Sequence, residues 1–226
     1  MATPFDKYRE NLKDEQIKRN DIQCLNDVER RDKDLIKKIN NYMTRNLTLE
    51  ERSRTSVEII LQLIKNNFAF RALFRKDTSK QCFDEGCQIA WLKNKYPDIQ
   101  KLNADIGGKC FLDGTIYEIT GERPPAATKS FDTYSASTNT YSTLKYTSEN
   151  GGAQDNQYND VKKFVSESVK YLTKFPQAKE LFEACLDGAY YTEKKRTSLN
   201  DLIIPELKGR ITITSCASIL PSSASI

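Results

Sequence analysis

The sequence predicts an α+β protein that is mainly α, a helical core carrying a small antiparallel β hairpin or sheet. Three observations lead there. Apolar residues recur at helical spacing through most of the first 95 positions, and an Asp-Gly pair later separates two short β-prone runs. A further helical pattern then follows a Ser/Thr/Tyr-rich segment.

The first segment, Phe5 to Asn46, is dense in charge. Acids precede bases by four residues at Asp14–Lys18, Glu15–Arg19, Asp27–Arg31, Glu29–Lys33 and Asp34–Lys38, the favourable order on a helix. Phe5, Tyr8, Leu12, Ile22, Leu25, Val28, Leu35, Ile36, Ile39 and Met43 give a thin apolar seam that slips near Ile17. A helix with so narrow a seam needs a partner along it, either its own domain or another subunit.

Thr48-Leu-Glu-Glu51 has the pattern of a capping box, with the Thr48 hydroxyl and the Glu51 carboxylate exchanging hydrogen bonds across a first turn. The expected helix continues to about Phe74 through Val57, Ile60, Leu61, Ile64, Phe68 and Leu73. It is the most apolar stretch and the expected core, and Arg71, Arg75 and Lys76 at its end suit the negative pole of its dipole. Asp77-Thr78-Ser79 offers a turn, and Lys80 to Lys95 a third helix stopped near Pro97.

Asp113-Gly114 within Lys109–Thr120 is a strong hairpin signal. Ser130 to Gly152 follows, rich in Ser and Thr but studded with Phe131, Tyr134, Tyr141 and Tyr146. Flexible linkers lack aromatics. The four aromatics therefore mark a candidate protein-interaction arm, with Thr140 to Thr147 as a strand packing in cis or on another molecule's sheet edge. From Asn159 a helix is expected through Val161, Phe164, Val165, Val169 and Leu172. Pro176 is expected to open another helix, through Ala178, Leu181, Phe182 and Cys185 to Gly188. A short helix around Leu199 to Leu207 and a strand from Arg210 to about Cys216 end the fold. The expected organisation is a helical arm at 1–47, a core with hairpin at 48–121, an arm or linker at 122–157, and a second helical segment with strand and tail at 158–226.

Composition excludes much chemistry. The chain has no histidine, which removes Ser-His-Asp and Cys-His catalysis, His-ligated metals and His-based pH switching. Basic and acidic residues number 35 and 31, a net charge of +4, so overall charge selects no partner class. No apolar run suits a secretion signal or a membrane span, so the expectation is an intracellular protein, cytoplasmic or nuclear, or one of a virion interior, with no membrane insertion. Its cysteines are then expected to be reduced.

The candidate chemistry is thin. Cys82 and Cys87 are spaced as C-x4-C with no second close pair, which fits buried thiols better than zinc. Cys110 beside Lys109 lacks a histidine base. The pairs Asp84–Glu85, Glu118–Glu122 and Glu50–Glu51 are ordinary in a chain with 31 acidic residues, and Asp105-Ile-Gly-Gly-Lys109 lacks P-loop spacing. No catalytic residue, metal ligand or cofactor is assigned.

The expected function is a non-enzymatic structural or interaction subunit of a larger intracellular assembly, for example a minor capsid or scaffold component, with protein partners in a homo- or hetero-oligomer. The alternative is a nucleic-acid-associated protein. Its candidate contacts are Arg71, Arg75, Lys76, Lys80, Lys162, Lys163, Lys170 and Lys174, with nearby aromatics to stack on bases. An enzyme working without histidine is the third reading.

Overall fold

The computed structural model describes residues 2–77, 82–147 and 152–219. The chain divides into two compact units. One is Tyr8–Phe83; the other takes the N-terminal residues through Lys7 together with the chain from Asp84 onward.

The first unit is helical. Helix α1 runs Pro4–Arg30, its opening residues belonging to the other unit, and α2 runs Lys33–Asn46. The continuous helix expected over 5–46 breaks because Arg31 takes a positive φ of 50°, and the Asp32 carboxylate then accepts from the amides of Asp34 and Leu35 to start α2. The expected core helix breaks likewise into α3 (Leu49–Arg54), α4 (Val57–Asn66) and α5 (Phe68–Arg71). Thr48 and Glu51 do form the capping box. Ser56 caps α4 by accepting from Ile59, and Asn67 caps α5 by accepting from Phe70. Cys24, Leu35, Ile39, Ile60, Leu61, Ile64 and Phe74 make the core. On α1 the buried seam runs through Asn20 and Cys24, while Ile22 stays exposed.

The second unit corrects the expected fold class. It is a mixed α/β unit built on a five-stranded sheet, not a helical core with a small hairpin. Helix α6 (Phe83–Leu92) precedes β1 (Gln100–Lys101). Strands β2 (Lys109–Leu112) and β3 (Thr115–Glu118) form the expected hairpin, with positive φ at both Asp113 and Gly114. Strands β4 (Thr133–Ser135) and β5 (Thr140–Tyr146) pair antiparallel. Helix α7 (Gly152–Lys174) crosses over to β6 (Leu181–Asp187), and α8 (Glu193–Asn200) leads to β7 (Ile211–Thr214). The sheet order is β1-β4-β5-β6-β7, with β5, β6 and β7 parallel.

The decisive difference is Leu181–Asp187. Its apolar spacing reads as a helix, yet it is the sheet strand between β5 and β7. A strand covered on both faces need not alternate apolar and polar residues, and so loses the period that marks a strand. Phe182, Ala184 and Leu186 join Val161, Phe164, Val165 and Leu172 of α7 in the main core. Glu183, Cys185 and Asp187 point to the opposite face, toward α6, which donates from Gln88 to Asp187. The short helix expected at 199–207 is replaced by α8, which ends at Asn200, and a single 3-10 turn at Pro205–Leu207.

Candidate functional site

Among the described residues, the basic positions expected to meet nucleic acid divide between the two units: Arg71, Arg75 and Lys76 in the helical one, and Lys162, Lys163, Lys170 and Lys174 in the other. Arg71 is 9% exposed and is bound inside the helical unit. Its guanidinium donates to Asp21 Oδ2 at 2.6 Å and to the carbonyls of Ile64 and Lys65 at 2.9 and 3.1 Å. Arg75 also pairs with Asp21, at 3.6 Å, and lies over the Phe68 ring. Lys76 is exposed, and Lys80 lies outside the described residues. A groove of about 1010 Å³ in this unit is lined by Lys38, Tyr42, Arg45, Arg75 and Lys76, among others. Lys38 Nζ donates to the Phe74 carbonyl across it.

On α7 the lysines point different ways. Lys162 lies over the Tyr158 ring and Lys174 over Phe175. Lys163 donates to the carbonyls of Ala126 and Ala127. Lys170 pairs with Glu167, whose other oxygen accepts from Gly114 at the hairpin turn.

The aromatics of the candidate arm sit within the fold of their own chain. Phe131 and Tyr141 are buried in the main core, their rings 5.0 Å apart, and Tyr134 packs on Tyr141 at 4.6 Å. Tyr146 meets Phe5 edge-on at 6.5 Å. The strand expected at Thr140 to Thr147 is β5, and its neighbours are β4 and β6 of the same chain.

Two polar clusters in the α/β unit were not visible in the sequence. On the α7 face of the sheet, Asp132 Oδ2 accepts from the Leu144 amide at 2.7 Å and from Thr143 Oγ1 and Lys145 Nζ at 3.1 Å each. This half-buried carboxylate ties β4 to β5 and leaves its lysine partly reachable from solvent.

The second cluster lies on the α6 face, where the parallel strands β6 and β7 end. Cys185, Asp187 and Cys216 are all buried. Their Sγ and carboxylate oxygen atoms lie within 4.8 Å of one another. The two sulfurs are 3.6 Å apart. Asp187 Oδ1 accepts from Ser215 Oγ at 2.6 Å, and Oδ2 from Gln88 Nε2 at 2.7 Å and the Cys216 amide at 3.3 Å. The hydrogen bond with Cys216 lowers the Cys185 thiol, but burial and the charges of Asp187 and Glu183 outweigh it and raise it overall. The Cys216 thiol is raised by its bond with Cys185, by burial and by Asp187. As free thiols the pair are therefore protonated and poor nucleophiles. Four residues along the same strand, buried Glu183 binds Lys95 Nζ at 2.6 Å and accepts from Thr214 at 2.8 Å.

No protein-family model matches the sequence, and neither a curated protein nor a solved structure is significantly similar to it. No helix among the described residues is long and apolar enough to cross a membrane.

Proposed function

We propose that this chain is a non-enzymatic interaction or structural subunit of a larger intracellular assembly, such as a minor capsid or scaffold component, and that Tyr8–Phe83 is its docking module. The observation that carries this reading is the distribution of exposed apolar side chains. Of ten large hydrophobic residues exposed among the described residues, Ile22, Leu49, Ile59, Leu63, Phe68 and Leu73 fall in this smaller unit. On α4, Ile60, Leu61 and Ile64 are buried while Ile59 and Leu63, four residues apart, are 47% and 42% exposed. The outer side of the helix thus presents two apolar side chains among the exposed Glu58, Gln62 and Lys65. Covering a side chain already about half buried is worth about 1 kcal/mol, roughly half the value for one fully exposed.

A photo-crosslinking amino acid at position 63 of the full-length chain tests this. Adducts between chains, or with a co-assembled protein, are expected. Adducts only to residues beyond Asp84 of the same chain overturn the reading, because the face is then closed from within.

The nucleic-acid reading keeps one supporting observation, the groove with exposed Arg45 and Lys76 beside Tyr42. It requires binding to DNA or RNA that weakens steeply with salt and is lost in Arg45→Ala/Lys76→Ala.

A further inference from the structure

We propose that Cys185, Asp187 and Cys216 are the ligands of a thiophilic divalent cation, zinc or a metal of similar preference, bound where the parallel strands β6 and β7 end. Two observations carry it. The first is spacing. Two thiolates on one tetrahedral zinc, each at about 2.3 Å, stand about 3.7 Å apart. The sulfurs of Cys185 and Cys216 are 3.6 Å apart, and Cys185 Sγ is 3.6 Å from Asp187 Oδ2. All three ligand atoms lie within 4.8 Å of one another, so side-chain rotation alone brings them onto one ion.

The second observation is charge. Asp187 is 3% exposed, yet among the described residues it forms no ion pair. Its partners are the neutral Gln88, Ser215, Cys185 and Cys216 groups. Glu183, equally buried on the same strand face, does have a cation in Lys95. A buried carboxylate is retained most readily beside a positive charge. A disulfide between the two cysteines would leave Asp187 without one; a divalent cation supplies it.

The register explains how distant residues meet. Cys185 and Asp187 are two apart on β6 and face the same way. Cys185 pairs with Thr214 on β7, so Cys216 lies two residues further in the same direction. Gln88 flanks the carboxylate from α6. Its Nε2 also reaches the carbonyls of Lys145 and Cys185 at 3.3 and 3.4 Å, so the amide stands beside the site as a donor and not as a ligand.

Binding exchanges protons for metal. Each thiol gives up its proton to solvent as its sulfur takes the ion, so uptake releases two protons and strengthens with pH. Two thiolates and one carboxylate against a divalent ion leave a net charge of −1, which the Cys216 amide and the Ser215 hydroxyl face as donors. Because the site is buried, the ion enters during folding.

The test uses the full chain without a histidine tag, in a Cys82→Ser background that removes the exposed thiol. It is refolded with reductant and cobalt, then zinc. One metal ion per chain is expected, with a near-ultraviolet sulfur-to-cobalt band. That band should halve in Cys185→Ser or Cys216→Ser, vanish in the double variant and shift in Asp187→Asn. A folded, reduced chain that takes up less than a tenth of an equivalent overturns the proposal. So does a band that survives the double variant, or a Cys185–Cys216 disulfide in place of bound metal. If the double variant does not fold, the melting temperature of the unmutated sites decides. Chelator must lower it and zinc must restore it, and an unchanged temperature also overturns the proposal.

Discussion

Replacing Arg71 with alanine separates a structural arginine from a nucleic-acid contact. The side chain holds three acceptors in the helical unit: Asp21 at 2.6 Å, Ile64 O at 2.9 Å and Lys65 O at 3.1 Å. The two carbonyls belong to the last turn of α4, which has no amides of its own to satisfy them. Arg71 and Asp21 side chains are 11% and 14% exposed, so the pair is largely desolvated. Removing one member of such a pair costs about 3–5 kcal/mol. Asp21 retains Arg75 at 3.6 Å, which places the expected loss near the lower end, about 3 kcal/mol. Every 1.4 kcal/mol is tenfold, so amide hydrogen exchange through Val57–Arg71 should accelerate about 100-fold or more, as read by mass spectrometry. Arg71→Lys keeps the charge but loses the forked geometry and should fall between the two. Acceleration below about fivefold in Arg71→Ala would show that the arginine is not holding the unit together, and would refute the reasoning.

Asp98 anchors the turn between β4 and β5, accepting from Ser135 Oγ and from the Ser137 amide and hydroxyl. These bonds, Ser135 first, lower its carboxyl from the ordinary 3.8 to about 2. A lowered carboxyl adds stability that is present above about pH 3.8 and is lost as pH falls through about 2. The melting temperature of Asp98→Asn should thus lie below wild type near neutrality and converge with it toward pH 2; a gap unchanged by acid would contradict the assignment. Gly188→Ala should destabilise the α/β unit by about 2 kcal/mol or more in urea titration, because φ is +91° and a Cβ would lie 2.1 Å from the Thr147 carbonyl oxygen. Wild-type stability in that variant would mean that the turn after β6 is built differently. Phe182 is 1% exposed and its ring lies 5.1 Å from Phe111. Phe182→Ala should cost about 3–5 kcal/mol in the same titration, and a loss under about 1 kcal/mol would place 181–187 outside the core.

Where bonding is local, the sequence was sufficient. Thr48 and Glu51 are three residues apart and satisfy each other's backbone amides, so the start of α3 is written in four letters. Asp113-Gly114 accepts the positive φ of a tight turn, and the hairpin follows. Thr140–Tyr146 combines β-branched and aromatic residues, and it is a strand. The breaks at Ser56 and Asn67 fall at capping residues inside an apolar run, but the continuing helical period hid them.

Tertiary structure alone decided the rest. Leu181–Asp187 has helical spacing by itself and becomes a strand because β5 and β7 bond its two edges while α7 and α6 cover its faces. The pairing of β6 with β7 brings together residues 31 positions apart, Cys185 and Cys216, around one buried carboxylate. Packing of α7 on the sheet takes Phe131, Tyr134 and Tyr141 into or against the core of their own chain. Hydrogen bonds and turns within a few residues depend on the residues themselves. Burial depends on which distant segment arrives to cover them, and no window of the sequence contains that segment.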